Sequence, residues 1–270
     1  MRRSSLRRAA QDLGTTKDCR EEPDQCHYQI NYADGTTSLG VLLLDKFSLP
    51  TGSARNIAFG CPEKVPVDGI LGLGRGSVDL VSQLKHSGAV SKNVIGHCLS
   101  SKGGGYLFIG EENVPSSHVT WVPMAPTTPS QATLHLGRNP IGTKPFKAIF
   151  DSGSTYTYLP ENLHAQLVSA LKASLIKSSL NWCLILILDC IYAGKDLTFQ
   201  NCARPPERIQ GHGNACFGIL ELPGYDLFVI GGISMQEQLV IHDNEKGRLA
   251  WMPSPCDKMP MSKAAIISHI

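Results

Sequence analysis

With 270 residues, 42% apolar and 18% charged side chains and a formal net charge of +2, the chain has the make-up of a globular protein. That charge is too small to point to nucleic acid, and the longest apolar stretch, residues 182–188, falls far short of the roughly 20 residues that cross a bilayer. Neither G-x-x-x-x-G-K-[ST] nor H-E-x-x-H occurs, and no cysteine pair has zinc-site spacing, so no cofactor and no metal are expected.

In chain order, Arg2, Arg3, Arg7 and Arg8 crowd the start with no aromatic residue among them, which predicts a solvated tail over 1–18. Residues 28–32 (Tyr-Gln-Ile-Asn-Tyr) alternate like a strand, and Ala33-Asp34-Gly35-Thr36 supplies a hairpin turn. Strands are expected over 41–49, 56–60 and 68–73, the last opening into a Gly-rich run at 72–76. Ser77 reads as the N-cap of a short helix over 78–86. Further strands are expected over 106–110, 119–122 and 146–150, the last ending on Asp151.

The clearest helix begins at Pro160, where Leu163, Leu167, Leu171 and Leu175 recur every four residues. Residues 228–230, 239–241 and 249–251 complete the strand pattern. An apolar pair followed by glycine occurs twice, at Ile70-Leu71-Gly72 and at Val229-Ile230-Gly231, and suggests two β-rich lobes related by duplication.

There are nine cysteines: Cys19, Cys26, Cys61, Cys98, Cys183, Cys190, Cys202, Cys216 and Cys256. This number points to disulfides in an oxidising compartment and leaves at least one thiol over. The opening residues contain no apolar h-region of the kind a signal peptide carries, which sits awkwardly with that compartment.

The segment richest in chemistry is Ala148-Ile149-Phe150-Asp151-Ser152-Gly153-Ser154-Thr155. An apolar strand delivers a carboxylate into a tight loop, Gly153 lets another backbone come close, and neighbouring hydroxyls can orient the carboxylate. A bare D-S-G is an ordinary strand-to-turn sequence. The longer pattern, with a leucine-rich helix after it, is far more specific.

This pattern resembles the pepsin-like aspartic proteases, and in particular the plant nucellin-like branch. The resemblance implies a mostly β, bilobal acid-protease fold with an incomplete N-terminal lobe. It places a partial first lobe with the flap at 19–125, a second lobe at 126–257 and a tail at 258–270. Asp151 matches the second-lobe catalytic aspartate, supported by Ser152 in an inter-lobe hydrogen-bonding place, Gly153, and Ser154 as the hydroxyl that orients the carboxylate. Tyr32 falls at the flap tyrosine, with Gly35 and Thr36 in the flap turn. Asp68 belongs to the first-lobe apolar-apolar-Gly element and reads as structural.

The same resemblance suggests the disulfides Cys19–Cys26 and Cys216–Cys256. It is interrupted after Cys61 and lost from Ile176 to Gly211, a stretch expected to pack poorly. Gly232 stands where the family commonly has an acid. The implied substrate is a peptide or protein, the implied site of action is the secretory pathway, the vacuole or the extracellular space, and a monomer is expected.

Two carboxylates sharing a proton are needed for this chemistry, one as base toward water and one as acid toward the carbonyl. The 270 residues contain a single D-[ST]-G, at Asp151; Pro50-Thr51-Gly52-Ser53 has proline where the acid would stand. The expected function is therefore an aspartic endopeptidase family member impaired by the lack of the first aspartate. One alternative is a silent peptide-binding or inhibitor-like module. The other is a homodimer joining two Asp151 loops across a twofold axis, which the partial first lobe would obstruct.

Overall fold

The computed structural model describes residues 2–12, 19–20, 25–32, 36–48, 54–63, 69–116, 119–124, 132–136, 138–176, 191–193, 197–199, 218–258 and 266–269. Strands dominate among them. The chain forms two compact units, one comprising Met1–Ile95, Phe108–Glu112 and Lys263–Ser268, the other Gly96–Leu107, Asn113–Ser262 and His269–Ile270. Residues 96–107, expected in the N-terminal lobe, thus group with the second unit.

In the first unit, helix α1 (Arg2–Asp12) precedes four antiparallel strands in sequential order: β1 (Cys19–Arg20), β2 (Gln25–Asn31), β3 (Thr37–Ser48) and β4 (Ala54–Pro62). The expectation of a solvated tail is corrected here. Leu6, Ala9 and Ala10, at i, i+3 and i+4, form one apolar face and are buried against Cys26, Tyr28 and Leu42, while Arg7 and Arg8 stay exposed. The period-two alternation of β3 buries Gly40 and Leu42 and leaves Leu39 and Leu43 exposed.

Helix α2 (Leu80–His86) buries Val81 and Leu84. Its Gln83 carboxamide accepts from the Ala58 N–H at 2.7 Å and donates to the Ala58 carbonyl at 3.0 Å, so a side chain satisfies a backbone residue of β4. The cap expected at Ser77 is Asp79: its carboxylate accepts from Ser82 N–H at 2.8 Å, and as an anion it also suits the positive end of a helix.

The strand expected over 68–73 is not formed. Residues 69–75 have no regular structure, and Ile70 and Leu71 are 64% and 53% exposed. Asp68 lies outside the described residues.

The second unit carries the larger core. Strands β5 (Val94–Leu99) and β6 (Gly105–Ile109), of which Val94, Ile95, Phe108 and Ile109 belong to the first unit, are joined by a turn in which Ser100 N–H donates to the Gly104 carbonyl. Then come β7 (Trp121–Pro123), β8 (Ala132–Leu136), β9 (Asn139–Phe150), β10 (Thr157–Pro160) and helix α3 (Glu161–Ile176). After these lie β11 (Ile191–Ala193), β12 (Leu197–Phe199), β13 (Ile219–Leu222) and β14 (Leu227–Ile230). A 3-10 turn, Gly232–Met235, leads into β15 (Gln238–Asp243) and β16 (Arg248–Pro253).

A seven-stranded sheet runs in the order β11-β12-β8-β9-β14-β10-β13. Helix α3 lays Leu163 and Leu167 onto it, where Leu134, Leu159, Phe228 and Ile230 are buried with them, as the four-residue leucine spacing predicts. Separately, β15 pairs with β16 and β16 with β7, both antiparallel. The tail expected at 258–270 includes a further strand, β17 (Ile266–His269). Most of the stretch from Ile176 to Gly211 lies outside the described residues; within it β11 pairs with β12, and β12 runs parallel to β8.

The disulfides are corrected in one respect. Cys256 is bonded to Cys98, 158 residues away in sequence, not to Cys216, which lies outside the described residues. The reason lies in the neighbouring hydrogen bonds. Glu237 N–H donates to the Leu99 carbonyl, and its carboxylate accepts from Ser101 N–H and Cys256 N–H, which ties the chain around Cys256 to the end of β5. Cys26 is disulfide-bonded, and the β1–β2 register sets Cys19 directly opposite it.

Candidate active-site loop

Asp151 follows directly on β9, the central strand of the seven-stranded sheet. β9 and β14 run parallel in the register Val229↔Ile149 and Ile230↔Phe150, and the Asp151 N–H continues the ladder by donating to the Ile230 carbonyl at 3.0 Å. The loop is then held from inside. Gly153 N–H donates to Asp151 Oδ1 at 3.0 Å, Ser154 Oγ donates to Oδ2 at 2.7 Å, and Ser154 N–H donates to the Asp151 carbonyl. Both carboxylate oxygens thus have fixed partners, and such bonds to an anion are among the stronger ones in a protein.

A second layer holds the loop from behind. Gly232 N–H donates to the Ser154 carbonyl at 2.7 Å and Ile233 N–H to the Thr155 carbonyl at 3.1 Å. The hydroxyls of Thr157, which is fully buried, and Ser234 lie 2.6 Å apart, and Thr157 Oγ1 also accepts from Gly231 N–H at 3.2 Å. A Cβ at Gly231 would stand 2.0 Å from the Tyr156 carbonyl oxygen, so only glycine lets the two segments close up. Sequence reasoning singled out the loop but not Thr157 or Ser234. Ser152 is exposed, and Asp151 and Ser154 are half-buried.

Tyr32 is in the first unit. It is half-buried at the end of the β2–β3 hairpin, where its N–H donates to the Thr36 carbonyl at 2.9 Å and Asn31 pairs with Thr37. Thr36 is exposed, and Gly35 lies outside the described residues. Among the described residues, no second carboxylate is hydrogen-bonded to Asp151.

Two parallel strands that carry an Asp-Ser-Gly-Ser loop, backed by an Ile-Gly turn, define a class, the pepsin-like acid proteases. The comparisons agree. The crystal structure of basic 7S globulin from soybean matches with a TM-score of 0.61 over 88% of this chain and 76% of that one, at 16% identity. Conglutin gamma from lupine seeds matches with a TM-score of 0.63 over 84% and 72%, also at 16%.

The family described as "Xylanase inhibitor N-terminal" matches residues 3–111. An aspartic proteinase of Oryza sativa subsp. indica is 39% identical over 92% of this chain and 73% of its own length. The protein of the same name from subsp. japonica is 38% identical over 96% and 75%. The chain belongs to the pepsin-like aspartic proteinase family of plants.

Proposed function

We propose that the Asp151 loop is one half of a two-carboxylate peptidase site acting on peptide or protein substrates, and that these 270 residues do not cleave peptides without a second D-[ST]-G loop. The observation that carries this reading is the geometry of the Asp151 carboxylate. Ser154 and Gly153 pin both of its oxygens, which is what a group that positions and activates a water molecule requires. A single carboxylate cannot be base toward water and acid toward the scissile carbonyl in the same step. Ser152, Gly153 and Ser154 support the loop, and Tyr32, Gly35 and Thr36 take the flap role toward substrate. The Cys98–Cys256 bond suits a secretory, vacuolar or extracellular setting.

A second reading, a silent peptide-binding or inhibitor-like module, is favoured by the match of residues 3–111 to a family described by an inhibitor. Cleavage assays on the purified chain at roughly pH 3–5, the acid range in which a proton-sharing pair works, separate these readings from an active homodimer. The expected result is no pepstatin-sensitive turnover. Turnover that rises with the square of protein concentration and disappears in Asp151→Asn would establish the homodimer instead.

A further inference from the structure

Among the described residues, Glu237 is the only one other than glycine with a positive φ, 55°. That left-handed conformation is unfavourable for a residue with a Cβ, whereas glycine adopts it freely. Such a backbone persists where its surroundings hold it in place, and Glu237 is held from two sides. Its N–H donates to the Leu99 carbonyl at 2.8 Å, and its carbonyl accepts from Ser254 N–H at 3.0 Å. Carboxylate Oε1 accepts from the N–H and the hydroxyl of Ser101 at 2.8 and 2.9 Å, and Oε2 accepts from Cys256 N–H at 3.2 Å. One side chain thus grips the chain just after Cys98 and at Cys256, on both sides of their disulfide.

Glu237 also follows the turn that backs the Asp151 loop. Gly232 and Ile233 donate to the Ser154 and Thr155 carbonyls, Gln236 N–H donates to the Ile233 carbonyl, and Gln236 forms a parallel bridge with Leu99. All of these residues lie in the second unit. From this arrangement we propose that Glu237 is a positioning residue that couples the Cys98–Cys256 bond to the Asp151 loop, so that breaking the disulfide loosens the loop. Reduction by a thiol such as glutathione cleaves the S–S bond, puts one hydrogen on each sulfur and leaves the reductant as its own disulfide. Cys256 then draws away from β5, its N–H leaves the Glu237 carboxylate, and a bond that offsets the left-handed backbone at 237 is lost. The turn relaxes, and Gly232 and Ile233 slip from Ser154 and Thr155. A coupling free energy runs both ways, so a loosened turn also weakens the disulfide. The coupling acts on how the loop is held, whether or not the loop ever meets a second carboxylate.

The test is a double-mutant cycle read by amide hydrogen exchange on the full chain, near pH 7 and well below its melting transition. The four chains are the parent, Glu237→Gly, Cys98→Ala/Cys256→Ala, and all three substitutions together. Exchange is followed in peptides covering 151–157 and 231–237, with 163–171 of α3 as the control. Glu237→Gly removes the carboxylate but suits the positive φ, so a role confined to the shape of the turn would leave exchange at the parent's level. Glu237→Gly alone and loss of the disulfide alone should each speed exchange at 151–157 at least tenfold with α3 little changed. The combined chain should be no faster than the faster of the two. Glu237→Gln, which keeps one acceptor oxygen, should fall between the parent and Glu237→Gly. In glutathione buffers the Cys98–Cys256 equilibrium of Glu237→Gly should shift at least tenfold toward the thiols. Loop exchange at the parent's level in Glu237→Gly, effects that multiply in the combined chain, or α3 accelerating as much as the loop would overturn the proposal. If the cysteine variant fails to fold, Glu237→Gly with its disulfide intact still decides, through its loop exchange and its glutathione equilibrium.

Discussion

Asp151 is a half-buried carboxylate held directly by Gly153 and Ser154, and the loop they form is held in turn by residues that do not touch it. Thr157 shows this best. Its hydroxyl serves Gly231 N–H and Ser234 Oγ at once, inside a fully buried site. Thr157→Val keeps the shape but orphans both partners, and at about 1–3 kcal/mol for each unsatisfied buried group the loss should be about 2–6 kcal/mol. Thr157→Ser, which keeps the hydroxyl, should lose clearly less; urea midpoints of the two variants check this, and equal losses would mean that the hydroxyl network does not hold the loop. The loop itself was legible, because a strand, a carboxylate and three small residues are consecutive in sequence. Thr157 and Ser234 were not, because 77 residues separate them and neither lies in a local pattern.

Among the elements, β5 and β15 bring His97 and His242 together with ring centroids 6.5 Å apart and nearly parallel planes. Burial, and for His97 also the neighbouring His242, lowers both from 6.5 to about 4. The unfolded chain therefore binds more protons than the folded one between these values. The pair's contribution to stability is complete above pH 6.5 and is lost as pH falls toward about 4. The loss should be on the order of a few kcal/mol.

Glu237, whose carboxyl burial would raise but hydrogen bonds from Ser101 and Cys256 hold below the usual value, acts in the same direction. Urea midpoints measured from pH 7 to pH 4 should fall steeply in the parent and flatten in a His97→Gln/His242→Gln variant. A parent midpoint that holds or rises toward pH 4 would contradict the assignment.

Elements with a complete local signal were readable from sequence: the β2–β3 hairpin, the leucine-striped α3, and β9 into its loop. Those whose form depends on a distant partner were not. Residues 68–73 have the apolar content of a strand, but residues 69–75 form none, and the described residues include no parallel partner for them like the one β14 finds in β9. Helix α1 was obscured by its arginines, although Leu6, Ala9 and Ala10 already mark a buried face.

For the whole molecule, the mostly β, bilobal fold was legible from its short strands and turns, whereas the grouping of residues 96–107 with the second unit was not. That grouping follows from β5 reaching the end of the chain through Cys98–Cys256 and the Glu237 hydrogen bonds. A bond closing 158 residues removes much unfolded-state entropy, about 5 kcal/mol by the loop-closure estimate as an upper figure. Cys98→Ala/Cys256→Ala should lower the melting temperature of the second unit, by calorimetry, well below that of the parent, while Cys61→Ser, at an exposed free thiol, should leave it in place.

The central claim, that Asp151 is one carboxylate of a pair, is tested most directly by fusing to the N-terminus an apolar strand with a D-T-G-S loop. Peptide cleavage is then measured near pH 5, where the histidine pair still stabilises the fold in part. The fused chain should show pepstatin-sensitive turnover that Asp151→Asn abolishes, and the unfused chain should show none; turnover in the fused chain that survives Asp151→Asn would contradict the account.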